Sequence, residues 1–434
     1  MNLPKAWVRA PLFDVASLHD SRRVPLNSNE RAAKPGQYPY FGANGQVDTV
    51  GEYLFDGDFI LLAEDGGYFD DPTRSVAYEA NGKFWVNNHA HILSTEGDIP
   101  PRYLCRFLNS IDWLPFVSGT TRLKLTQGGM QRISVALPPL AEQRRIVAKL
   151  DALMARLARA RAELDRMPSL ADKLRLEVLR GTFHWKEDPD GLPVGWSPKR
   201  IDEIGQVQLG RQRSPKDHDG PNMRPYLRAA NVTWTGWDLS DIKEMNFSPE
   251  EFKTFRLEPG DILLNEGSGS AKEVGKPAVW NGEIADVCFQ NTLLRIRPRG
   301  YDPHLLRYCL LYIARSGQFI ANTQGVNIIH IGKAGLARIV IPVPPAEEQE
   351  RLVSKIDEAF ARADRLEAEA ARGRELLDRL EAAILAKAFR GELVPQDPND
   401  EPASVLLERI RAQREETPKA ARTRRRSSLA MGQS

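Results

Sequence analysis

The sequence has little cysteine, no long apolar run and almost no net charge, and each shortage narrows what the chain can be. Cys105, Cys288 and Cys309 are the only cysteines among 434 residues, and no two form a C-x-x-C pair. That excludes a disulfide framework and a cysteine zinc site, and leaves three reduced packing residues. The longest apolar stretches, such as Phe59 to Ala63 and Leu305 to Ala314, are interrupted or far too short to span a membrane. The opening Met1-Asn2-Leu3-Pro4-Lys5 lacks a signal-peptide pattern, so a cytoplasmic protein is expected. Sixty basic against 58 acidic residues give a net charge of +2. Residues 1–137 hold 13 basic and 15 acidic side chains, and residues 192–343 hold 19 and 16. A uniformly basic nucleic-acid glove is therefore excluded; if DNA is the ligand, local clusters must meet its phosphates.

Recognisable catalytic motifs are missing as well. Neither proline pair, Pro138-Pro139 or Pro344-Pro345, has the Asn-Pro-Pro-aromatic form of an amino-methyltransferase. Gly267-Ser268-Gly269-Ser270-Ala271-Lys272 fails G-x-G-x-x-G at its last position, and Gly275-Lys276-Pro277 fails the phosphate-loop pattern. His89 and His91, with Asp56, Asp58, Glu64 and Asp65 nearby, lack a third ligand at metal spacing. Asp56-Gly57-Asp58 reads as a turn opening the strand Phe59 to Leu62. No metal and no bound cofactor are expected on this chain.

What the sequence does have is an internal repeat. The segment Leu137-Pro-Pro-Leu-Ala-Glu-Gln-Arg-Arg-Ile-Val-Ala-Lys-Leu-Asp151 returns 206 residues later as Val343-Pro-Pro-Ala-Glu-Glu-Gln-Glu-Arg-Leu-Val-Ser-Lys-Ile-Asp357. The same offset pairs Gly119 with Gly325 and Phe183 with Phe389, so the register holds without a gap. Upstream the copies have drifted: Trp7 resembles Trp196 at an offset of 189, and Gly57-Asp58-Phe59-Ile60-Leu61 resembles Gly260-Asp261-Ile262-Leu263-Leu264 at 203.

After each Pro-Pro, short β-like runs give way to a long helical pattern. Ile146, Leu150, Leu153, Leu157, Ala160, Leu164, Met167, Ala171, Leu174 and Val178 follow alternating spacings of four and three; Leu352, Ile356, Ala359, Ala363, Leu366, Ala370, Gly373, Leu377, Leu380 and Ile384 repeat them. This is a coiled-coil seam. A helix of about forty residues spans about 60 Å, which suits a spacer. Pro168 predicts a kink or break in the first helix, and Gly373 weakens the second near the equivalent point. Packing through equivalent surfaces predicts an antiparallel pair with an approximate two-fold axis.

The doubled Pro-Pro-x-x-Glu-Gln leads into a heptad helix that ends in Ala388-Phe389-Arg390-Gly391-Glu392-Leu393, and this resembles the conserved regions of type I restriction-modification specificity subunits. Tyr38 to Gly45 with Leu61 to Gly66, and Tyr226 to Val232 with Gly260 to Leu264 and Phe289-Gln290-Asn291, are similar to that family's recognition domains. The resemblance covers residues 5 to 395, departing where Leu179-Arg180-Gly181-Thr182-Phe183 ends the first copy. It implies an α+β fold, with two mixed α/β target-recognition domains separated by two long antiparallel coiled-coil helices. The organisation becomes recognition domain 1 at 1–137, central spacer helix at 138–191, recognition domain 2 at 192–343, distal spacer helix at 344–394, and a basic, disordered tail at 395–434. The tail's charge comes from Lys419, Arg422, Arg424, Arg425 and Arg426.

The resemblance also implies partners: double-stranded DNA, two methyltransferase subunits and, in the full complex, two restriction subunits. S-adenosylmethionine and ATP would then bind to those partners. Polar residues in turn-like segments are the candidate DNA readers. In the first domain these are Asn44, Arg74, Asn87, Asn88, His89, Arg122 and Lys124. In the second they are Arg211, Arg213, Lys216, Arg228, Asn231, Ser268, Ser270, Lys272 and Asn291. Two rivals fit less: a coiled-coil scaffold leaves two related globules unexplained, and a stand-alone nuclease needs a catalytic site the sequence does not offer.

Overall fold

The computed structural model describes residues 3–184, 191–214, 218–268, 273–321 and 329–416. The chain divides into two compact units: residues 1–164 with 371–434, and residues 165–370. Both long helices contribute to both units.

In the first unit, six strands lie in the order Ala16–Leu18, Ala90–Thr95, Phe55–Ala63, Ala77–Val86, Tyr38–Gly42, Gly45–Val50. The run Phe59 to Ala63 reads as continuously apolar because both faces of its strand are covered. Ile60 and Leu62 join the core that includes helix α1 (Pro101–Leu108), while Leu61 faces an aromatic cluster with Phe55 and Phe84. In the second unit, Gly205–Leu209, Leu293–Pro298, Ile262–Asn265 and Pro277–Val279 form a sheet in the equivalent order. Lys243–Asn246, Met223–Leu227 and Cys288–Phe289 form a separate three-stranded sheet. Each unit carries a parallel pair at the matching place, Tyr40 with Trp85 and Tyr226 with Cys288. The three cysteines are free and buried; burial pushes the thiols of Cys105 and Cys288 up to about 12 and that of Cys309 higher still.

The repeated Pro-Pro-x-x-Glu-Gln segment is a joint. Ser134–Leu137 pairs antiparallel with Val8–Pro11, then passes through Pro138-Pro139 into helix α2 (Leu140–Phe183). Val340–Val343 pairs likewise with Ser197–Arg200 and leads into helix α4 (Ala346–Arg390) beyond helix α3 (Pro303–Arg315). The motif's glutamate accepts an indole hydrogen bond: Trp7 Nε1 donates to Glu142 at 2.9 Å, and Trp196 Nε1 to Glu348 at 2.8 Å. Its glutamine donates to the carbonyl of the first proline, Gln143 to Pro138 at 2.9 Å and Gln349 to Pro344 at 3.1 Å. Its aspartate holds the neighbouring helix: Asp151 takes Arg102 at 3.0 Å and Arg106 at 3.4 Å from α1, and Asp357 takes the Tyr308 hydroxyl of α3.

Glu142 is 1% exposed and Trp7 5%. Burial pushes the Glu142 carboxyl above its ordinary range, although Trp7 and Gln396 both donate to it. Glu142→Ala would strand those two donors, one of them fully inside the core, so a loss of about 2 kcal/mol is expected from denaturant unfolding. Glu348→Ala should cost less, because Trp196 is only half-buried.

Within each unit the two long helices run antiparallel. Arg161 pairs with Asp378 at 2.7 Å and Glu381 at 2.6 Å in the first, and Arg175 with Asp364 at 2.5 Å and Glu367 at 2.9 Å in the second. The expected seam is narrower than its sequence pattern. One row per helix carries the tight packing, with Leu150, Leu157 and Ala171 buried on α2 and Ile356, Ala363 and Ala370 on α4. Ile146 and Leu352 are buried where the helices enter the domain cores; Leu153, Leu164, Leu174, Leu377 and Ile384 are half-buried. Leu366 and Leu380, expected in the seam, are 38% and 48% exposed. In this pair the second row falls at the margin of the contact instead of inside it.

Of the kink or break expected at Pro168, the break does not occur; α2 is continuous through it. Pro168 has no N–H to donate to the Leu164 carbonyl four residues earlier. That carbonyl instead accepts from Arg374 Nη2 at 3.1 Å. Gly373 allows the approach: a Cβ there would stand 3.0 Å from the Leu164 side chain.

The C-terminal expectation also needs correction. Residues 395–416 are not a disordered tail, since Ala403–Glu416 forms helix α5. Ala403, Leu406, Leu407 and Ile410 enter the first unit's core, and Arg411 pairs with Asp14 at 2.6 Å and Arg414 with Glu96 at 3.0 Å. Spacings of three and four among those apolar residues carry the helical period inside a charge-rich segment. The basic residues from Lys419 to Arg426 lie outside the described residues.

Candidate nucleic-acid interface

Most of the first domain's candidate readers converge on one edge of the sheet, where the strands Phe55–Ala63 and Ala77–Val86 end. The Asn44 side chain, on the turn after Tyr38–Gly42, donates to the Gly66 carbonyl at 2.9 Å. Asn87 Oδ1 accepts from the His89 N–H at 2.8 Å, which sets the tight turn that leaves Asn88 exposed. His89 Nδ1 lies 2.6 Å from Asp65, and Arg122 meets the same carboxylate at 2.8 Å. Lys124 meets Glu64 at 3.1 Å. Arg74 is engaged elsewhere, with its guanidinium 3.2 Å from the Tyr68 ring centroid.

Beneath this edge lies a group in which Glu64 and His91, close in sequence, are joined by Asp20, which sequence spacing did not suggest. Asp20, Glu64 and His91 bring ligand-type atoms within 4.8 Å of one another. Arg23, absent from the candidate readers, stands among them, 3.1 Å from Asp20, 2.7 Å from Glu64 and 2.9 Å from the Ala90 carbonyl. The counter-charge that a metal would bring is thus supplied by Arg23 and Lys124, and the group is an ion network that ties the edge together. Burial raises the Glu64 carboxyl, but hydrogen bonds from Arg23 and Lys124 outweigh it and hold the group below the usual carboxylate range.

The second domain's candidates divide. Asn231 is 2% exposed, its Oδ1 accepting from the Arg228 N–H at 3.0 Å and its Nδ2 donating to the Asp238 carbonyl at 2.9 Å; it fastens a loop. Arg211 is largely covered, paired with Glu251 at 2.8 Å over the Phe247 ring. Those two are packing residues, chosen because polar residues near glycines and turns resemble readers until burial is known. Arg228 pairs with Asp241 at 2.5 Å, and the exposed Arg213 donates to His218 at 3.1 Å. Asn291 is half-buried, with its N–H on the Arg211 carbonyl at 3.0 Å. The backbone of Ser268 pairs with Ile329, whereas Lys216, Ser270 and Lys272 lie outside the described residues. His330, which sequence reading missed, pairs with Glu266 at 2.7 Å; the offset of 206 places it opposite Lys124.

The model of the type I restriction modification DNA specificity domain matches this chain twice, over residues 4–164 and 193–371. The chain belongs to that family. A type I restriction enzyme specificity subunit of Haemophilus influenzae is 29% identical over 349 residues, covering 80% of this chain and 86% of that one. The EcoKI specificity subunit of Escherichia coli is 26% identical over 460 residues, covering 95% and 96%. The HsdS subunit of Thermoanaerobacter tengcongensis has a similar fold, with a TM-score of 0.57 at 22% identity over 91% of this chain and 99% of that one. Membership in the type I specificity family makes this chain the non-catalytic recognition component, with two DNA specificity domains. Among the described residues no helix is long and apolar enough to cross a membrane.

Proposed function

We propose that each recognition domain reads one half of a split, asymmetric site in double-stranded DNA. The long helices set the unread distance between the halves and dock two methyltransferase subunits, and two restriction subunits complete the assembly. S-adenosylmethionine and ATP bind to those partners, and this chain contributes no cofactor site. The observation that carries the reading is the doubling: two related globules with different exposed side chains at equivalent edges, each joined to its helix by the same Trp–Glu and Gln–carbonyl hydrogen bonds. Two small interfaces linked in one chain multiply sequence specificity without new chemistry.

Docking along the helices has its own support. Leu170, Leu366, Leu376 and Leu380 are 45%, 38%, 61% and 48% exposed on α2 and α4, and apolar side chains so placed suit coverage by a partner. The test is genome-wide mapping of N6-methyladenine in the host, with the gene intact, deleted, or carrying Leu376→Ser with Leu380→Ser. Deletion should erase one split motif. The double variant should melt like the parent yet co-purify with far less methyltransferase and leave most sites unmethylated. Methylation unchanged by deletion would sink the reading.

A further inference from the structure

Two carboxylates that were not among the candidate readers occupy the same place in the two units. Glu64 follows the strand Phe55–Ala63; its N–H donates to the His89 carbonyl at 2.8 Å, and its carbonyl accepts from the Leu125 N–H at 2.7 Å. Glu266 follows Ile262–Asn265 in the same manner, donating to the Thr292 carbonyl at 3.0 Å and accepting from the Ile331 N–H at 2.9 Å. Each carboxylate then holds the side chain just before that last partner: Lys124 at 3.1 Å on Glu64, and His330 at 2.7 Å on Glu266. The two glutamates are 202 residues apart and their two basic partners 206, so the pairing has survived the drift that displaced the strands relative to the loops.

The exposure is one-sided. Side chains of Lys124 and His330 are 49% and 55% exposed, whereas Glu64 and Glu266 are 15% and 17%. In the first unit Asp65 doubles the device, holding Arg122, which is 63% exposed, and His89; Gly267 follows Glu266 in the second. A cation already facing a fixed carboxylate gains less from a phosphate and releases fewer counterions on binding. Exposed pairs of this kind are weak, so the cation stays in place yet can still be drawn off by a correctly seated ligand.

We propose that Glu64, Asp65 and Glu266 are specificity-determining latches, which hold the cations of the DNA-facing edges and withhold them from the phosphate backbone when the bases are wrong. This rests on the reading that these edges meet DNA. The probe is a short random-sequence duplex, titrated by fluorescence anisotropy against the full chain at several salt concentrations. The titration is run at about pH 6 as well as at neutral pH.

Asp65→Asn and Glu266→Gln should each bind the duplex about two- to fivefold more tightly. The slope of log affinity against log salt should steepen by about 0.9 for each cation freed. Adding Arg122→Ala to Asp65→Asn should remove that gain. Glu64→Gln should act in the same direction; if it melts early, the other two variants decide, since their partners are surface side chains. Unchanged or weaker binding by both Asp65→Asn and Glu266→Gln, with parental melting, overturns the latch alone. Failure of the parent chain to bind any duplex would instead overturn the DNA reading beneath it.

Discussion

Exchanging residues 1–137 for the matching domain of a relative is expected to replace one half of the methylated motif completely and leave the other half letter for letter as it was. The expectation follows from where the contacts of residues 1–137 go. Within its unit this segment meets the rest of the chain through an apolar core shared with Ile146, Leu150, Phe389, Leu406 and Ile410, and through polar groups that include Trp7 on Glu142, Arg102 and Arg106 on Asp151, Asp14 on Arg411, and Glu96 on Arg414. Everything on the sheet edge, from Asn44 to Lys124, is internal to the segment. A donor domain that keeps those anchors therefore brings its own readers without disturbing the helices. The effect is large because each wrong base pair costs about 1–3 kcal/mol, so a half-site of several pairs switches outright. Genome-wide methylation mapping of the chimera reads both halves at once. A chimera in which both halves change would show that the domains do not read independently.

What the sequence made legible follows from what repeats. The ungapped offset of 206 exposed the helices, the Pro-Pro joint and the pairing of domains, because a packing solution used twice leaves the same residues twice. It also held the alignment of Lys124 with His330, which became informative once the strands put a glutamate beside each. The readers were harder. Asn231 and Asn44 look alike in sequence, yet one is 2% exposed, folded into its own loop by Arg228 and Asp238, and the other lies exposed on a turn. Leu366 and Leu380 obey the heptad but not the burial, since a sequence period marks a face without saying how wide the partner is. Helix α5 went unread because composition outweighed the i, i+3, i+4, i+7 spacing of Ala403, Leu406, Leu407 and Ile410. At Pro168 the local rule was right about the lost hydrogen bond and silent about Arg374, 206 residues away, which replaces it.

Lengthening both helices by one heptad is expected to keep each half-site and widen the unread spacer. Because the helices run antiparallel within the first unit, an insertion in α2 alone would leave α4 seven residues short. A matched pair fits the packing: one between Arg156 and Leu157, the other between Glu381 and Ala382, just beyond the residues that pair with Arg161. These points leave the Leu164, Gly373 and Arg374 contacts untouched. Seven residues preserve the buried row that contains Leu150 and Leu157, and add about 10 Å of helix, equivalent to about three base pairs. Four residues instead shift that row off its partner, so assembly and methylation should fall together. The measurement is the methylated motif of each variant across the genome. If a heptad-pair variant remains active and its motif keeps the original spacer, helix length is not what sets the distance between the two half-sites.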